Sequence, residues 1–374
     1  MFLMIVGMTI ITTSILIKQI SKNTFYSNNP NLDAVVGSKG SPLQLVLSSI
    51  HHVDIPTGNI SYKDAQKIMK HPAIKFGIPI SLGDNFQNYR IVGTDKRFLN
   101  LYNTGLKSGS IWNKPMQAVI GYNVAKTTQL KIEKFFIGSH GLVDTGDIHS
   151  ERPYKVIGIL KKTGTVVDNL ILTSLESVWN LHSHQNKLKK DINKLEVTAL
   201  LLKYKNKTSA FSFPRLINKN TNLQAASPSF EISKLLKLTG AAHNVSNYLS
   251  LLIVSLSLIG ILFTLLNNIN DRKYDLAILR TLGFTRKKIF SLILIEGMVI
   301  AFAGSVIGLI LGVLCFISIE YFSLFGTNVI IGQFEFVLEL LIMWLIVIIT
   351  SFLTCIVPCI IVYKRNIRSI LLNN

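Results

Sequence analysis

Four apolar runs separated by one long polar insert constrain this chain more than any other feature. Three of them, Tyr248 to Leu266, Ile289 to Ile319 and Phe336 to Tyr363, reach or exceed the roughly 18 to 20 residues an α-helix needs to cross a hydrocarbon core. The first, Phe2 to Ile17, is marginal at sixteen residues. The 374 residues are 49% hydrophobic and only 16% charged, with a mean hydropathy of +0.40, and the polar residues gather in the middle. That balance fits a membrane protein carrying one large soluble insert and excludes a soluble globule.

The cations of the short loops set the topology. Arg272, Lys273, Arg280, Arg286, Lys287 and Lys288 lie between the second and third runs, and Lys364, Arg365 and Arg368 follow the fourth. The loop from Glu320 to Glu335 has no Lys or Arg. The positive-inside bias therefore places the 271–288 loop and the C-terminus in the cytoplasm. Counting back, the insert from about Lys18 to Asn247 lies outside, and both termini are cytoplasmic. A signal peptide competes for the first run, but there is almost no basic n-region and no small-x-small site before Lys18, which favours an uncleaved span. The lack of polar residues before Phe2 leaves open a start upstream of Met1.

Of the 39 Lys and Arg, 30 fall in the insert against 14 of the 20 Asp and Glu, so it carries +16 of the total +19. Nucleic acid does not explain a basic domain outside the cell; a solvated surface comes first, ahead of anionic lipid or an acidic partner. All three cysteines, Cys315, Cys355 and Cys359, lie in the apolar runs, so the insert has no disulfide. Cys355 and Cys359 share a helix face, where packing is the simplest role.

Within the insert, β-branched and apolar runs predict strands at Leu43–Ile50, Tyr89–Thr94, Gln117–Tyr122, Tyr154–Leu160, Leu170–Thr173 and Leu195–Tyr204. Ser61–Lys70 reads as a helix with a capping-box pattern at Ser61 and Asp64, and Ser174–His182 as a second. The expected fold is four transmembrane α-helices with a large α+β extracytoplasmic domain inserted between helices 1 and 2. From Ser229 the pattern turns helical, and Phe230, Ile232, Leu235, Leu236 and Leu238 lead through Gly240 into the second span as a stalk.

The loop from Asp271 to Lys288 encodes helix, sharp stop, helix. Asp271 and Asp275 are placed at a helix start and Arg280 near its end, as the helix dipole favours; Gly283 supplies a left-handed C-cap and Thr285 caps the next helix. Tyr274, Ile278 and Leu282 share one face, with Leu276 and Leu279 beside them. Periodicity alone fits a protein-docking helix and an amphipathic helix lying in the headgroups equally well.

The stretch DRKYDLAILRTLGFTRKKIFSLILIEGMVIAFAGSVIGLILG, beginning at Asp271, resembles the C-terminal signature of the FtsX-like, MacB-like permeases of ATP-driven transporters. The matching positions are Arg272, Asp275, Ile278 to Gly283, Arg286, Glu296 and Gly297, and the likeness covers about Ser229 to Leu314. DAVVGSKGSPLQLVLSSI (33 to 50), PISLGDN (79 to 85) and VIGILKKTGTVVDN (156 to 169) resemble the extracytoplasmic domain of MacB-type permeases, in a subgroup likened to lipoprotein-releasing systems. Two departures stand out: the family's polar helix before the first span is absent, and Ser369-Ile370 replaces its terminal Asp-Pro.

This resemblance implies a first transmembrane helix at 1–21, a MacB-type extracytoplasmic domain at 22–228, and a stalk with the second transmembrane helix at 229–270. A cytoplasmic coupling helix at 271–288 and the third and fourth spans with a cytoplasmic tail at 289–374 complete it, residues 229–374 forming the FtsX-like permease domain. It also implies an ABC ATPase subunit docking on Arg272, Asp275, Ile278, Leu279, Arg280, Gly283 and Arg286, a second permease copy or paralogue, and residence in the bacterial inner membrane. Membrane lipids and an extracytoplasmic lipoprotein or adaptor are the other partners. The nearest thing to a Walker A motif, Gly37-Ser38-Lys39-Gly40-Ser41, lacks its spacing, so ATP and Mg are expected in the partner, with no cofactor in this chain.

Gly304, Gly308 and Gly312 recur every fourth residue and share a face suited to close helix approach, as a dimer or an intrachain seam. Glu296, costly in an apolar span, is expected to face protein or water, to snorkel, or to pair with Arg286 or Lys288, in a coupling role. The insert's histidines show no metal-ligand spacing, and no serine lies in a nucleophile motif, so no catalytic constellation is expected. Two functions remain. One is a permease converting hydrolysis into motion of its external domain, for export or release of a lipoprotein, lipid or peptide. The other is a non-transporting transducer that activates an extracytoplasmic enzyme. The size of the insert favours the first.

Overall fold

The computed structural model describes residues 1–27, 30–140, 152–182, 195–321 and 338–364. In chain order it has α1 (Phe2–Ser27), β1 (Ala34–Ser38), α2 (Pro42–Val46), β2 (Ile60–Ser61), α3 (Tyr62–Met69), β3 (Ile74–Phe86), β4 (Tyr89–Thr94), α4 (Phe98–Leu101), β5 (Leu106–Gly109), β6 (Gln117–Ile120) and α5 (Tyr122–Thr128). It continues with β7 (Phe135–Phe136), β8 (Ser139–His140), β9 (Tyr154–Leu160), β10 (Leu170–Ser174), α6 (Leu175–His182), β11 (Glu196–Val197), β12 (Ala199–Tyr204), α7 (Ser209–Asn220), β13 (Leu223–Ala226), α8 (Pro228–Asp271), α9 (Lys273–Thr281), α10 (Arg286–Tyr321) and α11 (Leu338–Lys364). The described residues form two compact units, 21–237 in one and 1–20, 238–321 and 338–364 in the other.

The 21–237 unit is built on one mixed sheet in the order β13-β1-β12-β3-β4-β10-β6-β9-β5, with β7 on β9 and β8 on β3. Its pairs are antiparallel except β4 with β10 and β6 with β9, which are parallel. The unit thus combines helices and strands as expected, in a mixed, mostly antiparallel sheet with helices on both faces. Side chains alternate between the faces as the strand period of two requires. Leu201 of β12, Val92 of β4, Leu172 of β10 and Val119 of β6 join one core with Leu45 and Val46 of α2 and Phe98 of α4. On the opposite face, Leu200, Leu202 and Tyr204 pack with Ala65 and Ile68 of α3 and Phe213 and Ile217 of α7. Farther along that face, Ile91, Ile120, Val156 and Ile171 pack with Val124 of α5 and Leu181 of α6.

The strands expected at Tyr89–Thr94 and Tyr154–Leu160 form over those residues, and helices α3 and α6 stand where the sequence places them. Leu43–Ile50, expected as a strand, is instead helix α2 followed by a π-helical turn at Leu47–His51. The local reason is a start signal: Ser41 accepts the Gln44 N–H at 3.4 Å and Pro42 takes the first helical position. The capping box at α3 is also corrected, because Ser61 makes no side-chain cap bond and Asp64 pairs with Lys67 at 2.8 Å.

Phe2–Lys22, Pro228–Asp271, Arg286–Ile319 and Leu338–Ile361 are each long and apolar enough to cross a membrane. The marginal first run thus gains length as helix α1, beyond Ile17. Residues 320–335 and the tail basics Arg365 and Arg368, which the topology argument used, fall largely or wholly outside the described residues.

Candidate functional site

Helix α8 ends at Asp271, so this residue closes the long helix and does not start the short one as expected. Arg272, with φ −98° and ψ 17°, is the break, and α9 begins at Lys273 without a side-chain cap. Asp275 lies in its first turn and Arg280 in its last, where each suits the helix dipole. The stop is a Schellman motif: the Phe284 N–H reaches the Leu279 carbonyl at 3.0 Å, and the Gly283 N–H reaches that of Arg280 at 3.2 Å. Gly283 sits at φ +97°, the left-handed region that favours glycine. Thr285 then accepts the Lys288 N–H on its hydroxyl at 3.4 Å, and α10 starts at Arg286.

The sequence-selected residues Arg272, Asp275, Ile278, Leu279, Arg280, Gly283 and Arg286 therefore run from the break before one short helix, through it and its exit turn, to the first residue of α10. Ala277 is the residue this helix buries. Ile278 is 53% exposed and Leu282 74%, whereas Tyr274 is half-buried, with the Lys273 ammonium 5.2 Å from its ring centre. The outward face combines exposed aliphatic groups with cations, Lys288 lying 5.6 Å from the exposed Phe284 ring centre. Such a face suits a protein groove or a headgroup layer.

Glu296 is half-buried on α10, and its Oε1 accepts a hydrogen bond from Asn268 Nδ2 of α8 at 3.1 Å. Asn268 is a partner that sequence reasoning missed, because nothing in local spacing links it to Glu296. Gly297 explains the tight approach here: a methyl group on it would lie 2.8 Å from Leu265 Cδ1 of α8 and 2.5 Å from Cys355 Sγ of α11. Cys355 and Cys359 are buried, and the Cys359 thiol lies 3.6 Å from the Phe290 carbonyl oxygen. They pack, as expected.

The glycine face of α10 is an intrachain seam with α1. A methyl group on Gly308 would fall 2.5 Å from Met8 Cβ and 2.8 Å from the Ile5 carbonyl oxygen. On Gly312 it would meet Thr12 Cβ at 2.5 Å, and on Gly304 it would meet Met4 at 3.2 Å. The backbone carbonyls of these glycines also accept from α1, Thr9 Oγ1 reaching that of Gly308 at 3.3 Å and Thr13 Oγ1 that of Gly312 at 3.1 Å.

Within the 21–237 unit, the ends of the long helices enter its core: Phe25 of α1 and Ile232 and Leu236 of α8 belong to the same cluster as Leu45 and Val46. Phe25 sits edge-on to His51, their ring centres 5.1 Å apart. His51 and His52 are buried, and none of their ring nitrogens has a hydrogen-bond partner among the described residues. Burial lowers the His51 pKa from 6.5 to about 4. It lowers that of His52 well below its ordinary value, helped by the nearby Arg90 and His51 charges. Arg90, lowered to about 10 by burial against the raising effect of Asp54, donates to the Asp54 carbonyl at 2.9 Å from both terminal nitrogens. Among the described residues no group of three or more His, Cys, Asp or Glu converges as metal ligands; His149 and His184 fall outside them.

A family model described as the MacB-like periplasmic core domain matches residues 1–213, and one described as the FtsX-like permease C-terminal matches residues 247–367. No curated protein matches the chain. Similar solved structures include the periplasmic region of MacB from Actinobacillus actinomycetemcomitans, at 13% identity and a TM-score of 0.37, covering 55% of this chain and 93% of that one. The extracellular domain of the ABC-type transporter YknZ from Gram-positive bacteria aligns at 11% identity and a TM-score of 0.33, over 53% of this chain and 100% of that one. A domain of a permease protein from Porphyromonas gingivalis aligns at 10% identity and a TM-score of 0.28, over 52% and 86%.

Proposed function

We propose, from the premise that this chain belongs to the family of permeases joining a MacB-like periplasmic core domain to an FtsX-like C-terminal domain, that it converts ATP hydrolysis by a separate subunit into motion of the 21–237 unit. It is a multi-pass membrane component of an ABC-type transporter, and such a component works with an ATPase subunit. In our reading, α9 is the surface on which that ATPase docks, the 21–237 unit lies outside the cytoplasm, and the cargo is a lipoprotein, lipid or peptide. A second copy of the chain, or a paralogue, completes the assembly in the inner membrane.

The observation that carries this reading is the construction of α9. A nine-residue helix is closed by a Schellman glycine and followed at once by the Thr285 cap, so its exit into α10 is held by two successive capping devices. A rigid, short lever between two candidate spans, with Ile278 and Leu282 turned outward, suits the transfer of a push better than passive rest in headgroups.

The test is purification of the tagged full-length chain from its native membranes. ATP hydrolysis should co-purify with the wild type and fall about tenfold or more with Arg280→Glu, while the amount of membrane-inserted chain is unchanged. Equal ATPase recovery from both would refute the docking role of α9. In vesicles, ATP-dependent release of a lipoprotein, lipid or peptide supports the transporter; ATP-dependent activation of an external enzyme without release would favour the transducer.

A further inference from the structure

We propose that Asn268 is a positioning residue: through its hydrogen bond to Glu296 it fixes the rotation of α8 against α10, so that a push on α9 turns the two helices as one body. The inference rests on the docking role of α9 proposed above and adds the element that carries the push onward.

Three observations converge on this point. Glu296 is the single acidic residue between Arg286 and Ile319, so a carboxyl group stands in a segment where charge is expensive. Its Oε1 lies 3.1 Å from Asn268 Nδ2. The backbone carbonyl of the same Asn268 accepts the Arg272 N–H at 3.0 Å, closing the last turn of α8 on the residue from which α9 starts. One residue therefore holds the start of the short helix with its main chain and the neighbouring span with its side chain.

The chemistry of the pair fits positioning better than charge neutralisation. A lysine or arginine would attract the carboxylate from many directions, because Coulomb attraction is weakly directional. An amide donor requires a short distance and near-linear approach, so it fixes one rotational setting. In an apolar surrounding a broken bond leaves an unsatisfied carboxylate, which makes the link persist while the helices move. The packing beside it has no slack. Leu265, one turn before Asn268, and Gly297, next to Glu296, approach so closely that a single added methyl would overlap, and Cys355 closes the third side. Ile269, next to Asn268, and Ile293, about one turn before Glu296, are also buried.

Two measurements on the full-length chain in lipid nanodiscs test this. The first is a double-mutant cycle in thermal unfolding with Asn268→Leu, Glu296→Leu and the pair. Each single change should lower the midpoint, and the double variant should sit well above the sum of the two losses, because removing both polar partners leaves nothing unsatisfied. Strict additivity would overturn the inference by showing that the two side chains do not act together. The second uses the complex with its co-purifying ATPase and reads the ATP-dependent change in trypsin cleavage of residues 21–237. Asn268→Leu should retain the ATPase and its hydrolysis yet lose that change by roughly fivefold or more, the range of an ordinary coupling between sites. The exchanged pair, Asn268→Glu with Glu296→Asn, should restore it. Full response in Asn268→Leu, or no rescue by the exchange, would overturn the positioning role alone. A wild-type chain that recruits no ATPase would instead overturn the proposed function, with the cycle still deciding whether the pair acts as a unit.

Discussion

In the 21–237 unit, Val35, Ile80, Leu172 and Leu201 are fully buried on one sheet whose two faces are both covered, while along α8 of the other unit Leu252, Leu256 and Phe263 stand exposed. The first pattern is what water imposes, since each apolar side chain taken out of water stabilises the fold. The second is what lipid permits, because a leucine gains little by leaving hydrocarbon for protein. Cohesion in the membrane unit falls instead on small residues and polar pairs: Gly304, Gly308 and Gly312 against α1, Gly297 between Leu265 and Cys355, and Asn268 with Glu296. The same substitution should therefore have very unequal consequences in the two units.

Leu→Ala is the sharpest way to break that comparison. Leu201→Ala, in the middle of β12, should cost about 3–4 kcal/mol by lost burial and a residual cavity. Leu256→Ala should change stability by less than about 0.5 kcal/mol, the value for sites without packing partners. Unfolding midpoints of the full-length variants in nanodiscs check both, and equal losses would mean that α8 is covered by protein where this chain leaves it open.

Acid should single out the 21–237 unit next. Folded His51 takes up a proton only near pH 4, whereas unfolded it does so near 6.5. Between those values the unfolded chain binds the extra proton, so stability falls as pH drops from about 6.5 to 4, by roughly 3 kcal/mol for His51 alone. His52 is shifted in the same direction and adds to the loss. Denaturant midpoints followed by the fluorescence of Trp112, in the same core, should show this slope, and His51→Phe should flatten it. An unchanged slope in His51→Phe would assign the acid sensitivity elsewhere.

Small-to-large change is the membrane unit's counterpart. Gly308→Leu should destabilise by about 2 kcal/mol through overpacking against Met8 and the Ile5 backbone. Gly260, with nothing within 4 Å, should accept the same replacement with little loss. A thermal shift assay of the two variants separates a packed glycine from an open one.

What the sequence disclosed divides along the same line. Features encoded within a few residues were legible: the span lengths, the stop at Gly283, the cap at Thr285, and the β-branched strands at Tyr89–Thr94 and Tyr154–Leu160. Leu43–Ile50 misled because a short apolar run looks alike in a buried strand and a buried helix, and the deciding signal, Ser41-Pro42, lies outside the run. The thirteen-residue β3 escaped notice because Gly77, Pro79 and Gly83 interrupt its pattern, although its pairing tolerates them. The regular spacing of Gly304, Gly308 and Gly312 announced a contact face, but the partner, Met4, Met8 and Thr12 of α1, is some 300 positions away in the sequence. Asn268 was invisible for the same reason: its role exists only once α8 and α10 lie side by side.

The smallest expected effect falls on the turn that closes α9 and sharpens the comparison most, because at Gly283 neither burial nor close packing operates. Gly283 has no atom within 4 Å of where a methyl group would sit, so Gly283→Ala meets no clash and loses no contact. What it changes is the backbone: alanine at φ +97° is strained, by about 1 kcal/mol. Global stability should barely move, since neither core is touched. The strain should appear locally, as faster hydrogen exchange of the Gly283 and Phe284 amides that close the Schellman motif onto Arg280 and Leu279. Gly283→Asn should exchange more slowly than Gly283→Ala, because asparagine tolerates the left-handed region better. If ATPase recovery then falls in the order glycine, asparagine, alanine while unfolding midpoints stay level, the stiffness of this one turn is what presents α9 to its partner. If recovery is indifferent to the substitution, the turn is a connector and the outward side chains of α9 act without it.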